Sequence, residues 1–400
     1  MNLSRSRPLV ALLASICFSG VARANPSLSQ DAYIWQREWT PAVHDAMRQA
    51  NDLIHAWRIL AAYSDEGGLL RPVAVDWKAV SHTDRPVIAV VRIDGRLDQI
   101  NGQRWQSQID RLLSLLRRSD AKITGLEIDY DCGTASLREY AKFLELVRSH
   151  LEPAMRLSIT ALPAWLLSPD LGALFAPVSE TILQVHMVQQ PHSGLFDPDA
   201  AHQWIRTMSR RTTKPFRVAL PNYGVRVSWR EDGSMLSVEG ERPLLAGGSS
   251  ATEMTVPPKD VAALLKSLED DPPPSLAGFV WFRLPVPGDI REWSFNTWRA
   301  VVLGKPLDSR IEALAQKSNP PGMSKIVLIN RGSMDSELPD RIGLPPSCRI
   351  ADGINGYSLE YDRSGLAIKR QQAGLLPAHQ QRLIGWMRCT PAQVVIHAEF

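Results

Sequence analysis

Between about residue 30 and residue 302, short β-branched runs alternate with amphipathic segments, and this alternation limits the folds open to the chain. Ala32–Trp35, Arg58–Tyr63, Pro86–Asp94, 123–130, Arg156–Ala161, Thr181–Val188, Phe216–Leu220 and Gly278–Leu284 read as strands. Helical spacing is expected over Ala42–Ile54, Gln103–Arg118, Leu166–Phe175, Asp199–Arg210, Lys259–Leu268 and Arg291–Val302. A further helix ends near Leu151, with Ser136 and Glu139 placed as a capping box at its start. Strands separated by helices pair in parallel, because the crossover returns each strand to the same end of the sheet. Eight such units in about 280 residues fit a closed (β/α)8 TIM barrel, which takes about 250. An open doubly wound sheet is the alternative, but no Gly-rich phosphate loop follows an early strand to support its nucleotide-binding forms. One excursion, Val225 to Thr255, interrupts the pattern and carries a hairpin turn at Asp232-Gly233.

One strand carries an unusual load. In Thr124-Gly125-Leu126-Glu127-Ile128-Asp129-Tyr130-Asp131, alternation puts Leu126, Ile128 and Tyr130 on one face and Glu127, Asp129 and Asp131 on the other. An isolated amphipathic strand would turn the acids to water. In a barrel the apolar face packs on helices and the acids climb the interior toward the C-terminal mouth, where such barrels hold their sites. Carboxylates about 6–7 Å apart at their roots cannot all stay ionised cheaply, so at least one should hold its proton to higher pH. A protonated carboxyl beside an ionised one is the requirement for acid-catalysed glycosidic cleavage.

Composition narrows the partners. A net charge of +3 on 400 residues gives no reason to expect nucleic acid or an anionic membrane. Arg5 and Arg7, the apolar run Leu9–Gly20 and Ala22-Arg23-Ala24 read as an export signal over 1–24, cleaved after Ala24, which implies a periplasmic or secreted protein. No later stretch is long and apolar enough to span a bilayer. In an oxidising compartment Cys348 and Cys389 can bridge, stabilising by about 3–4 kcal/mol for a loop of about 40 residues, whereas Cys132 reads as a small buried residue. No Cys or His spacing suggests a metal site, and no cofactor is expected. The expected units are a barrel over 25–304, a linker over 305–323 with a helix at Leu307–Gln316, and a small β-sandwich-like domain over 324–400.

At these residues the chain resembles the family-18, chitinase-like glycoside hydrolases. Thr124 to Asp131 is similar to that family's fourth-strand repeat, Asp-Gly-x-Asp-x-Asp-x-Glu. Pro221-Asn222-Tyr223-Gly224 resembles its Pro-x-Tyr-Gly, and Gly278-Phe279-Val280-Trp281 its eighth strand ending in a substrate-stacking Trp. The nearest named group it resembles is the bacterial domain-of-unknown-function family 3142. The resemblance implies Asp131 as general acid, Asp129 as the acid that orients the substrate's acetamido group or shares its proton, and Glu127 as a supporting acid. It also implies that Tyr223 and Trp281 line the sugar subsite, with Asn222 beside them. Asp131 stands where the family has Glu, and Leu183-Gln184-Val185-His186-Met187-Val188 stands where the family has Met-x-Tyr.

Parity on the sixth strand points Gln184 and His186 toward the acids, and Arg92 and Asp94 share the inward parity of the third. Of 12 tryptophans, Trp35, Trp39, Trp165, Trp229 and Trp281 fall on or after strands, where rings could stack on sugars. The expected partner is a polysaccharide or oligosaccharide. Three functions fit: a glycoside hydrolase-like enzyme acting on an envelope or extracellular polysaccharide, a catalytically weak barrel that binds glycan, and a structural or assembly protein of the envelope.

Overall fold

The computed structural model describes residues 28–400 except 66–67, 95–101, 188–193, 240–249, 290, 320–321, 363–364, 372–373, 390–396 and 400. The expected export signal therefore lies outside the described residues.

Eight parallel strands close into a barrel. They are β1 (Ser29–Ile34), β2 (Ala56–Ser64), β3 (Val87–Ile93), β4 (Ile123–Tyr130), β5 (Arg156–Ala161), β6 (Glu180–Gln184), β7 (Phe216–Pro221) and β8 (Leu276–Phe282). β1 pairs with both β2 and β8, so the sheet has no free edge at its seam. Each strand is followed by a helix: α1 (Pro41–Ala50), α2 (Trp77–Ser81), α3 (Gly102–Arg117), α4 (Leu137–His150), α5 (Leu171–Phe175), α6 (Pro198–Arg211), α7 (Pro258–Asp270) and α8 (Phe295–Val302). The acidic strand is the fourth, as expected, and its apolar residues Leu126, Ile128 and Tyr130 join the core formed with the helices. Tyr140 of α4 meets Tyr130 edge-on and donates to the Ile128 carbonyl at 3.3 Å. Each fully buried aliphatic side chain in this shell contributes about 1.5–3 kcal/mol.

The barrel interior is charged at its base. Arg58 of β2 donates to Asp31 of β1 through Nε (3.1 Å) and Nη2 (3.0 Å), to Glu180 of β6 at 2.6 Å, and to Glu127 of β4. Arg217 of β7 adds a bond to Glu180 at 2.8 Å. Above this plug lies an apolar layer of Tyr33, Val90, Ile182, Ala219 and Val280. Gly278 makes room for the plug: at its φ of +153°, a Cβ would stand 2.2 Å from the Ser29 carbonyl and 2.6 Å from Arg217 Nη1.

The excursion after β7 forms a three-stranded antiparallel sheet, with 224–229 between 235–239 and 250–255. Its Asp232-Gly233 turn is present, with Asp232 Oδ1 accepting from the Ser234 backbone at 2.8 Å. The capping box at α4 is not formed. A 3-10 turn over Thr134–Ser136 leads into the helix, and Ser136 makes no side-chain cap bond.

Beyond the barrel, two four-stranded antiparallel sheets share one core that includes Ile326, Leu328, Ile342, Ile368 and Met387. The helix expected at Leu307–Gln316 is instead the strand Ile311–Lys317, antiparallel to Met323–Asn330. Its residues have helical propensity, but Ile311, Ala313 and Ala315 pack on the core at a spacing of two, and tertiary pairing overrides the local preference. This sheet thus begins inside the segment expected to be a linker. Cys348 and Cys389 are bonded across adjacent strands, and Cys132 is free and buried. Asp335 joins the two units at the start of α8. Its carboxylate accepts from the Ser294 backbone (2.6 Å) and hydroxyl (2.7 Å), the Thr297 hydroxyl (2.8 Å) and the Ala378 backbone (2.9 Å).

Candidate active site

The C-terminal mouth of the barrel opens into a cleft of about 790 Å³. Asp129 and Asp131 form one wall. The register pairs Arg92 of β3 directly with Asp129, which brings their side chains together on the inner face. Arg92 Nη1 donates to Asp129 and to Asp131, each at 2.9 Å, while its Nε donates to Asp94 at 2.9 Å. Thr160 of β5 donates to the other Asp129 oxygen at 2.7 Å. Asp129 is buried, whereas Asp131, one residue past the strand, keeps 37% of its side chain exposed. Burial against the mouth, and then the charge on Asp129, push the Asp131 carboxyl above its ordinary range despite Arg92.

The floor is aromatic. Phe282 meets Tyr33, Trp35 and Tyr223 with ring centroids 5.2–5.6 Å apart, and His186 stacks on it at 5.8 Å. The polar tips of this cluster are turned to the protein: Tyr33 donates to Glu127 at 2.5 Å, and the Tyr223 hydroxyl lies 3.1 Å from His186 Nδ1. Burial pushes the imidazole of His186 down to about 4, so it is neutral through the physiological range. The same cause raises the Tyr223 phenol. Arg37, stacked over the Tyr63 ring at 4.1 Å, and the Arg283–Glu292 pair complete the rim.

Of the ten residues the sequence proposed, Asp129, Asp131, Arg92, Trp35, Gln184, His186 and Tyr223 line this cleft. Three do not. Glu127 sits below the floor, fully buried and held by Arg58, Tyr33 and Ser158, so it supports the site from within the plug. Asn222 is buried and ties the end of β7 to the loop after β8, its Nδ2 donating to the Arg283 carbonyl at 2.8 Å. Trp281 has 0% exposure and faces the helices, packed on Trp293 and Trp298 with its Nε1 bonded to Gln30. Its register partners, Ala32 and Leu220, share that outward face, so parity gives the inward position to Phe282. Among the five tryptophans placed near the mouth, Trp35 lines the cleft, while Trp165 and Trp229 are core residues. Tyr33, Thr160, Phe282, Arg283 and Glu292 are cleft residues that sequence reasoning missed, although Tyr33 and Phe282 have the inward parity of their strands. Among the described residues, no group of three or more His, Cys, Asp or Glu side chains converges as a metal site.

Comparison with known proteins agrees with this architecture. Residues 83–287 match the family described as "Domain of unknown function (DUF3142)", and residues 313–390 match a second, "Domain of unknown function (DUF8456)". No curated protein matches the chain in sequence. The spore cortex-lytic enzyme SleL of Bacillus cereus is similar in structure at a TM-score of 0.51 and 12% identity, over 70% of this chain and 75% of that one. A chitinase from Chromobacterium violaceum is similar at 0.49 and 14% identity, over 70% of this chain and 99% of that one. The barrel is chitinase-like in fold, and the chain belongs to the DUF3142 family.

Proposed function

We propose that the protein is an exported glycoside hydrolase-like enzyme that cleaves a bacterial envelope or extracellular polysaccharide by carboxyl general-acid catalysis. The observation that carries this reading is the Asp129–Asp131 pair at the barrel mouth, beside an aromatic floor suited to the apolar faces of sugar rings. Asp131 is the accessible acid of the pair, and its raised proton affinity suits a donor to the leaving glycosidic oxygen. Asp129, gripped by Thr160 and Arg92, faces the reacting sugar as the fixed partner. Tyr33, Trp35, Tyr223 and Phe282 orient the chain. The name of SleL, a spore cortex-lytic enzyme, is in keeping with an envelope glycan as substrate. Export rests on the reading of residues 1–24 as a signal and is supported by the Cys348–Cys389 bridge. No helix of the described residues is long and apolar enough to cross a membrane.

The test is hydrolysis of a panel of peptidoglycan, chitin-type and other bacterial glycans by the protein from Asn25, beside Asp131→Asn. Loss of turnover by about 10²-fold or more with binding retained supports the acid role. An Asp131→Asn variant that cleaves at the wild-type rate refutes it. One observation favours a second reading, a barrel that binds glycan without cleaving it: Asp131 is ion-paired to Arg92. That reading expects binding insensitive to Asp131→Asn and no turnover by the wild type.

A further inference from the structure

The proposed chemistry uses the guanidinium lodged between the two aspartates to hold Asp129 and assigns it no role toward Asp131. Arg92 is held at both ends, Nε on Asp94 and Nη1 on Asp129 and Asp131, so it cannot swing aside as a surface arginine would. We propose that Arg92 is the positioning residue that decides when Asp131 carries its proton, by supplying the counter-charge that offsets Asp129. This rests on the reading of Asp131 as the proton donor.

The charges around Asp131 leave that task to Arg92. From β3 and its end come Arg92 and Asp94, and from its own strand come Asp129 and the thiol of Cys132. Tyr140 of α4, behind the strand, and Tyr223 in the turn after β7 also lie near enough to feel its charge, both of them neutral phenols. Among the described residues Arg92 is thus the cation that bonds Asp131, and two further carboxylates oppose it. Without Arg92, Asp94, Asp129 and Asp131 would face one another with, among the described residues, the Thr160 hydroxyl donating to the group. Proton uptake by Asp131, the most exposed of the acting pair, would relieve that repulsion. In the intact site, Arg92 therefore lowers the pH at which Asp131 gives up its proton, and it confines a protonated donor to more acidic conditions.

The experiment is a carboxyl ¹³C NMR titration of Asp131 in the ligand-free full chain from Asn25, assigned by its loss in Asp131→Asn. The wild type is compared with Arg92→Gln and Arg92→Lys. An opposite charge at this range displaces a carboxyl by about 1–3 pH units, and partial exposure puts the expected rise in Arg92→Gln at about one unit, tenfold in proton affinity. Arg92→Lys, which keeps the charge, should stay within about half that change. An Asp131 midpoint unmoved in a folded Arg92→Gln protein overturns the proposal, as does an Arg92→Lys midpoint that follows Gln. Because no substrate is present, a chain that cleaves no glycan would defeat the enzymatic reading without touching this result. If a substrate is found, the alkaline limb of the rate profile should move with the midpoint. A merely structural arginine would lower the rate at all pH and leave the limb in place.

Discussion

Replacing Arg58 by Met removes the central cation of the barrel plug while keeping much of its volume. Arg58 is 1% exposed and bonds Asp31, Glu127 and Glu180. After its loss Glu180 keeps Arg217 at 2.8 Å, and Asp31 keeps Arg217 and His55, both at 3.5 Å. Among the described residues, Glu127, fully buried, keeps the hydroxyls of Tyr33 and Ser158. Leaving one partner of a buried pair uncompensated costs about 3–5 kcal/mol. At an m-value of about 2–3 kcal/mol/M, that is a fall of roughly 1–2 M in the urea midpoint. Eleven of the twelve tryptophans precede residue 305, so their fluorescence reports on the barrel. The pH dependence has a definite sign. Burial raises the Glu127 carboxyl above its ordinary 4.5 even with Arg58 present, and its removal raises it further. The folded state then holds a proton that the unfolded state releases, so stability falls as pH rises above 4.5 toward the folded value. Lowering the pH from 7.5 to 5.5 should therefore restore part of the lost stability to the variant, by at most about 1.36 kcal/mol per unit. A penalty under about 1 kcal/mol, or one equal at both pH values, would refute this account of the plug.

Two further outcomes follow from the placement of aromatic and joining residues. Phe282→Ala should weaken glycan binding by about tenfold or more in isothermal titration, whereas Trp281→Ala should chiefly destabilise the fold, by about 3–5 kcal/mol in urea. If Trp281→Ala abolishes binding at unchanged stability, the inward and outward assignments on β8 are wrong. Asp335→Ala removes the carboxylate that caps α8 from the C-terminal unit and should cost about 1–3 kcal/mol in thermal or urea unfolding. No change in that measurement would show that the joint contributes nothing.

The β4 acids were legible because a single strand carries them, and period-two alternation fixes their shared face whatever surrounds the strand. Gln184 and Arg92 were found by the same parity. Trp281 was misplaced because the family pattern names a residue type at a strand end, while the pleat decides which neighbour turns inward. The strand at 311–317 was read as a helix because Ala, Leu, Gln and Glu favour helices, and nothing local announces the strand it pairs with. The plug left only isolated charges inside apolar runs, Asp31, Arg58 and Arg217 among them. Its partners lie far apart along the chain, Arg58 and Glu180 by 122 positions.

By itself the sequence determined the barrel, the strand that bears the acids and the cysteines able to bridge, because these follow from periodicity, order along the chain and side-chain chemistry. Only the tertiary structure decided that Arg92 stands between Asp129 and Asp131, that Phe282 forms the floor, and that Glu127 serves the plug beneath the cleft. Those outcomes depend on the register between neighbouring strands and on the height of each side chain along the barrel axis. Both are set by closing all eight strands at once, and no single segment carries them.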